Sequence, residues 1–175
     1  VQPKINTDEV MATVYRSTQQ MLAASSDTVL ISLDFSNLEK KHSQKLEGIC
    51  QVHGKDGIVN GYPMLTAIAA TEGKRGIIYN KLFSYDIDFN SENIEINSAV
   101  DQVRSTLAGH KIRWVADRGF DDIKKIQKFE AEDNEFVVRI YHNRNIQVAG
   151  REIKLFKLAQ QLPLVGELKS ELMIQ

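Results

Sequence analysis

Residues 112–122 read IRWVADRGFDD. A short apolar run, Ile112 to Ala116, ends in Asp117, and Arg118, Gly119 and Phe120 follow before two further acids. A run of this length and composition, closed by turn residues, reads as a buried strand. Asp121 and Asp122 then open DDIKKIQKFEAED, where acids in the first turn suit the positive end of a helix dipole. Gly119 permits a tight turn or a close backbone approach. The stretch is therefore a strand, a turn and a helix, with a carboxylate at the strand's end. An aspartate there is either an ordinary turn former or cap, or an acid delivered to a site.

The flanks repeat the pattern. Upstream, SENIEINSAVDQVRSTLAGH spaces Ile96, Val100, Val103 and Leu107 by four, three and four. That is a helical stripe, capped by Asn90 or Ser91 and ended by Gly109. Downstream, EFVVRIY is a further strand carrying Arg139. Nearer the N-terminus TVLISLDF is another buried strand, with Asp34 near its end. GYPMLTAIAATE and GIIYNKLFSYD flank GKR and predict a hairpin. Residues 36–60, with three glycines and many polar residues, read mostly as loop. TDEVMATVYRSTQQMLAASS predicts a helix over about residues 8–24. RNIQV, AGR and EIKL form a small hairpin, and FKLAQQLP is a short helix stopped by Pro163.

A hairpin followed by crossover helices predicts an α/β fold with a mixed five-stranded sheet and helices on both faces. The expected strand order is outer hairpin strand, inner hairpin strand, the strand of Asp34, then the strands bearing Asp117 and Arg139. Asp34 and Asp117 would then stand together at one sheet edge. Two bare carboxylates a few ångströms apart repel each other. A hard divalent cation such as Mg²⁺ relieves that repulsion and takes oxygen ligands. Two such ions about 4 Å apart serve phosphodiester chemistry.

Composition sets outer bounds. The 175 residues are 42% hydrophobic and 26% charged, which suits a globular chain with a real core. The net charge of −1 means that any nucleic-acid contact must come from a local basic patch. One cysteine, Cys50, excludes an intrachain disulfide and fits a cytoplasmic setting. No apolar run approaches the ~20 residues of a membrane span.

The ordered set of LISLDFSNLEKKHSQKLEGICQVHGKDGIVNGYPMLTAIAATEG, IRWVADRGFDD and EFVVRIYHNRNIQVAGREIKLFKLAQQLP resembles the DDE transposases of bacterial insertion sequences, in the branch with a β-strand insertion. The resemblance runs from about residue 27 to 165. It implies an RNase H-like catalytic core over 27–144, the start of a β-rich insertion over 145–175, and an N-terminal helix over 1–26 left from or leading to a DNA-binding region. Asp34 and Asp117, 117 − 34 = 83 residues apart, become the first two triad acids, holding Mg²⁺ or Mn²⁺, two ions in the complete enzyme. The implied reaction is metal-dependent cleavage and strand transfer at transposon ends. Transposon-end and target DNA are the partners, and a homodimer on DNA in the bacterial cytoplasm is the setting.

The family's third acid sits in a Tyr-Arg-Glu-Lys pattern that this sequence does not contain, so the third Glu is expected beyond Gln175. Glu152 alternates with Ile153 and is expected on the polar face of an inserted strand. A helix starting near Arg151 is the alternative, while Glu167 and Glu171 lie beyond Pro163. Lys40, Lys41 and His42, with Arg118, Arg139 and Arg144, are the candidate DNA contacts; the bland alternative is a solvated charged face. His42, His53, His110 and His142 lack metal-type spacing. Two rival functions share these acids: an RNase H-like nuclease or resolvase, and a catalytically silent DNA-binding derivative.

Overall fold

The computed structural model describes residues 7–23, 28–87, 90–130, 134–141 and 143–161. Pro163, Glu167, Glu171, His142 and the boundary expected near residue 27 lie outside them. Two compact units divide the chain, residues 1–139 and 140–175.

The first unit opens with α1 (Thr7–Leu22) and β1 (Val29–Glu39), followed by β2 (Cys50–Gly54), β3 (Gly57–Thr71) and β4 (Lys74–Leu82). Then come α2 (Glu92–Thr106), β5 (Ile112–Ala116), α3 (Ile123–Glu130) and β6 (Glu135–Val138). The hairpin β3–β4 lies beside β1, and β5 and β6 continue outward, so the order is β4-β3-β1-β5-β6 as the sequence predicts. β3 is antiparallel to β1, while β5 and β6 run parallel to it.

The expected five strands are six. β2, within the stretch read as loop, pairs Cys50–Gly54 with Gly61–Gly57 of β3. The strand is only five residues long and lies between turn-forming glycines and polar residues, which conceals it. Gly61 is required there, since a Cβ would meet the Leu38 carbonyl oxygen at 2.5 Å and Val52 Cγ2 at 2.6 Å. Cys50 is buried in β2.

The core lies on one face of the sheet. Ile31 and Leu33 of β1, Leu65 and Ala67 of β3, and Trp114 of β5 meet Ile96, Val100 and Val103 of α2 and Phe129 of α3. Ser91 caps α2 as expected, its side chain accepting from the Ile94 N–H. α1 belongs to the same layer. Leu22 is fully buried, the Thr18 hydroxyl donates to the Ile77 carbonyl at 2.8 Å, and Tyr15 Oη both donates to and accepts from the Asn80 backbone.

Helices were expected on both faces. Among the described residues of this unit, α1, α2 and α3 all cover the face of Leu33 and Trp114. The opposite face bears an aligned row of Ile77, Ile68, Ser32, Val115 and Val137, one from each of five strands. Ile68 and Val137 are exposed there.

The second unit holds the small hairpin β7 (Asn145–Val148) and β8 (Arg151–Lys154), then α4 (Leu155–Gln161). Ala149 and Gly150 make its turn, both with positive φ. Glu152 stands on β8, exposed and hydrogen-bonded to Asn145, while Ile153 is half-buried. The period-two reading of that segment holds, and the helix there begins only at Leu155.

Candidate active site where two strands end beside β1

Registers place the two acids. Leu33 pairs with Ala116, and Ala116 with Val138. One residue further along stand Asp34, Asp117 and Arg139. Asp117 and Arg139 lie just past the ends of β5 and β6, whereas Asp34, expected to close its strand, lies midway along β1, which continues to Glu39 because it stays paired with β3. Neighbouring strands lie about 4.8 Å apart, so the three positions sit side by side at one edge. Leu33 is buried in the core, and strand alternation therefore turns Asp34 to the opposite, open face.

Thr66 lies directly across the β1–β3 pair from Asp34, and Asn80 lies across from Thr66. Asn80 Nδ2 donates to Thr66 Oγ1 at 2.8 Å. A polar row therefore crosses the sheet, bounded on one side by the apolar row of Ile68 and Val115. Thr66 and Asn80 escaped the sequence reading, because TAIAA and YNKL hold no motif and only cross-strand register aligns them with Asp34.

The turn-forming reading of Asp117 is present in its geometry. Its backbone is extended, at φ −80° and ψ −172°, and Oδ1 accepts from the Gly119 N–H at 2.8 Å. It thus caps the single 3₁₀ turn Arg118–Phe120. That bond engages one carboxylate oxygen and leaves the second outside the turn. Asp121 and Asp122, expected in the first turn of the helix, both precede it: α3 begins at Ile123 with no acid in its first turn, and Asp122 caps it, Oδ1 accepting from the Lys124 N–H at 2.8 Å.

An aromatic stack ties the two strand ends together. Phe35, next to Asp34, stacks on Phe120 of the Asp117 turn with centroids 6.1 Å apart, and Phe83 meets Phe35 edge-on at 5.9 Å. Phe120 continues to Phe129, which stacks on Trp114 at 5.3 Å. Movement of either acid-bearing segment would disturb this shared packing.

Electrostatics supply a second sign of proximity. Partial burial pushes the Asp34 carboxyl above its ordinary value, and the negative charge of Asp117 pushes it further. Among the described residues no lysine, arginine or histidine pairs with Asp34. Two hard oxygen donors that repel each other fit a divalent ion such as Mg²⁺ or Mn²⁺. Among the described residues no group of three or more His, Cys, Asp and Glu side chains converges on a metal position. The acid pair therefore stands without a third protein carboxylate in that part of the chain.

The basic candidates separate. Arg139 stands at the edge beside Asp117, and Arg118 is exposed on the turn behind it. Lys40, Lys41 and His42 follow the end of β1, six to eight residues past Asp34, and all are exposed. Lys41 is held by Asp56 at 2.9 Å and Glu39 at 3.3 Å, and these acids raise its pKa. Its charge is thus largely answered within the protein. Arg144 belongs to the second unit.

No protein-family model and no curated protein sequence matches the chain. Among solved structures, the chain is similar to a piggyBac transposase in a synaptic complex with hairpin DNA, at 12% identity and a TM-score of 0.46. The match covers 66% of this chain and 23% of that one.

Proposed function

We propose that this chain carries the first two carboxylates of a metal-dependent DNA transposase of the bacterial insertion-sequence type, built on an RNase H-like core. The observation that carries the reading is the register. Asp34 and Asp117 each follow the paired residues Leu33 and Ala116 in adjacent parallel strands. Ligand and catalytic groups of open α/β sheets gather where parallel strands end, as β5 does just before Asp117, with Asp34 level with that end on β1. Asp34 and Asp117 would hold Mg²⁺ or Mn²⁺, which when bound activates an attacking oxygen and stabilises a leaving one at a phosphodiester. The protein's own part is to fix the two acids through the Asp117 turn and the Phe35–Phe120 stack. Arg139 and Arg118 supply charge for the DNA backbone. Transposon-end and target DNA are the proposed partners, with assembly as a homodimer on DNA.

The test is Mn²⁺ titration of the 175-residue chain, followed by electron paramagnetic resonance of the free ion. Weak binding in the millimolar range suits a site of two carboxylates, and it should vanish in both Asp34→Asn and Asp117→Asn. Binding that survives both substitutions would place the metal elsewhere and overturn the reading.

A further inference from the structure

Lys125 of α3 is buried, at 8% exposure, whereas most of the other lysines among the described residues face solvent. Burying an ammonium is costly unless its protons are used, and a methionine would fill the same apolar space. Lys125 uses its charge on one small structure. Nζ donates to the Gly119 carbonyl at 3.0 Å, lies 5.4 Å from the centre of the Phe120 ring, and reaches Glu92 Oε2 at 3.7 Å. Gly119 and Phe120 belong to the turn that Asp117 caps, and the Gly119 N–H is the donor to Asp117 Oδ1. The Lys125 backbone is fixed in its turn by Asp122, whose Oδ1 accepts from its N–H at 3.4 Å.

We infer that Lys125 is a positioning residue for Asp117. It pins residues 118–120 against α3, so that one Asp117 oxygen stays bound to Gly119 while the second is presented on the side of Asp34. The inference rests on the reading of Asp34 and Asp117 as a metal-holding pair, and it assigns the support of that pair to a side chain outside the strand ends. Partners that orient a metal ligand typically change metal affinity 10–100-fold when lost. A lysine that merely filled space would change stability and leave the affinity alone.

The experiment uses the ¹⁵N-labelled 175-residue chain, Lys125→Met and Lys125→Arg, with two measurements below the melting temperature: Mn²⁺ affinity, and hydrogen-exchange protection of the Gly119 amide. Lys125→Met should weaken Mn²⁺ about 10-fold and expose the Gly119 amide, and Lys125→Arg should restore most of both. A folded Lys125→Met protein with unchanged Mn²⁺ affinity, or with Gly119 still protected, overturns the inference. If Lys125→Met fails to fold, Lys125→Gln carries the same test, since its amide is one bond short of the Gly119 carbonyl. Should the parent bind no Mn²⁺, the metal reading of the acids fails by itself. The Gly119 amide then decides the role of Lys125: lost protection supports it and retained protection overturns it.

Discussion

Asp34→Asn removes one charge from the acid pair while keeping the side chain's size, so in metal-free buffer it should stabilise the protein. Adjacent parallel strands at about 4.8 Å put the two carboxylates roughly 6 Å apart. At that separation like charges cost about 0.7 kcal/mol in a water-like dielectric and about 2.8 kcal/mol at an effective dielectric of 20. Asp34 is more than one-third exposed, so the low end applies, and about 1 kcal/mol is expected after solvent screening. For a chain of this size that is a rise of about 2–4 °C in melting temperature. The sign with pH follows from the raised Asp34 pKa. Between its unfolded and folded values the native state binds more protons, so the parent loses stability as pH rises through that window. The penalty is complete above the folded value, and Asp34→Asn lacks it. Divalent metal reverses the order. With Mn²⁺ at ten times a millimolar Kd, the parent gains about 1.4 kcal/mol and the variant gains none. Thermal denaturation at low salt, at 1 M salt and with 10 mM Mn²⁺ measures all three effects. The low-salt gain should shrink at 1 M, where the Debye length is about 3 Å. A variant that melts below the parent in metal-free, low-salt buffer would refute the repulsion, and equal Mn²⁺ stabilisation of both proteins would refute the shared site.

Other substitutions probe the supporting frame. In Gly76→Ala the new Cβ would meet Thr18 Oγ1 at 2.4 Å and Cγ2 at 2.9 Å. Overpacking of about 1–3 kcal/mol and loss of the Thr18–Ile77 hydrogen bond, about 1 kcal/mol, should lower the melting temperature by roughly 5–15 °C. Adding Thr18→Ala should recover part of that loss, and an unchanged melting curve for Gly76→Ala would show that α1 does not sit against β4. Glu135 is held below the ordinary carboxylate range by Lys111 and Arg113, so it contributes stability at neutral pH that is lost as pH falls through its folded value. Glu135→Gln should flatten the acid limb of stability against pH, and an identical limb in parent and variant would rule that ion cluster out. Trp114→Ala, which empties a fully buried site stacked on Phe129, should cost about 3–5 kcal/mol by chemical denaturation. A loss under 1 kcal/mol would mean that this layer is not the core.

Residue periodicity was enough to place most of the elements and, through them, the order of the sheet. Ile96, Val100, Val103 and Leu107 mark α2 because burial selects every third or fourth residue of a helix. TVLISLDF and IRWVA read as strands because both are β-rich apolar runs, although the first continues past Asp34 to Glu39 where the sequence turns polar. Their crossover fixed Asp34 and Asp117 on neighbouring strands. β2 escaped the sequence reading, since its alternation rests on Cys50 and Val52 alone and HGKDG beside it reads as turn; its pairing comes from β3, which is long enough to continue past the hairpin. The single-sided helix layer was not legible either, because Leu30, Ile68 and Val115 have the composition of buried strand residues whether or not a helix covers them. Most of all, the site's surroundings were settled only in three dimensions. Thr66 and Asn80 line up with Asp34 only through cross-strand register, Phe35 meets Phe120 and Phe83 only through ring packing, and Lys125 reaches the Asp117 turn from α3, whose sequence reads only as a helix. Local sequence carries the period of each element. Which side chains meet depends on contacts between residues tens of positions apart, and those exist only once the sheet has closed.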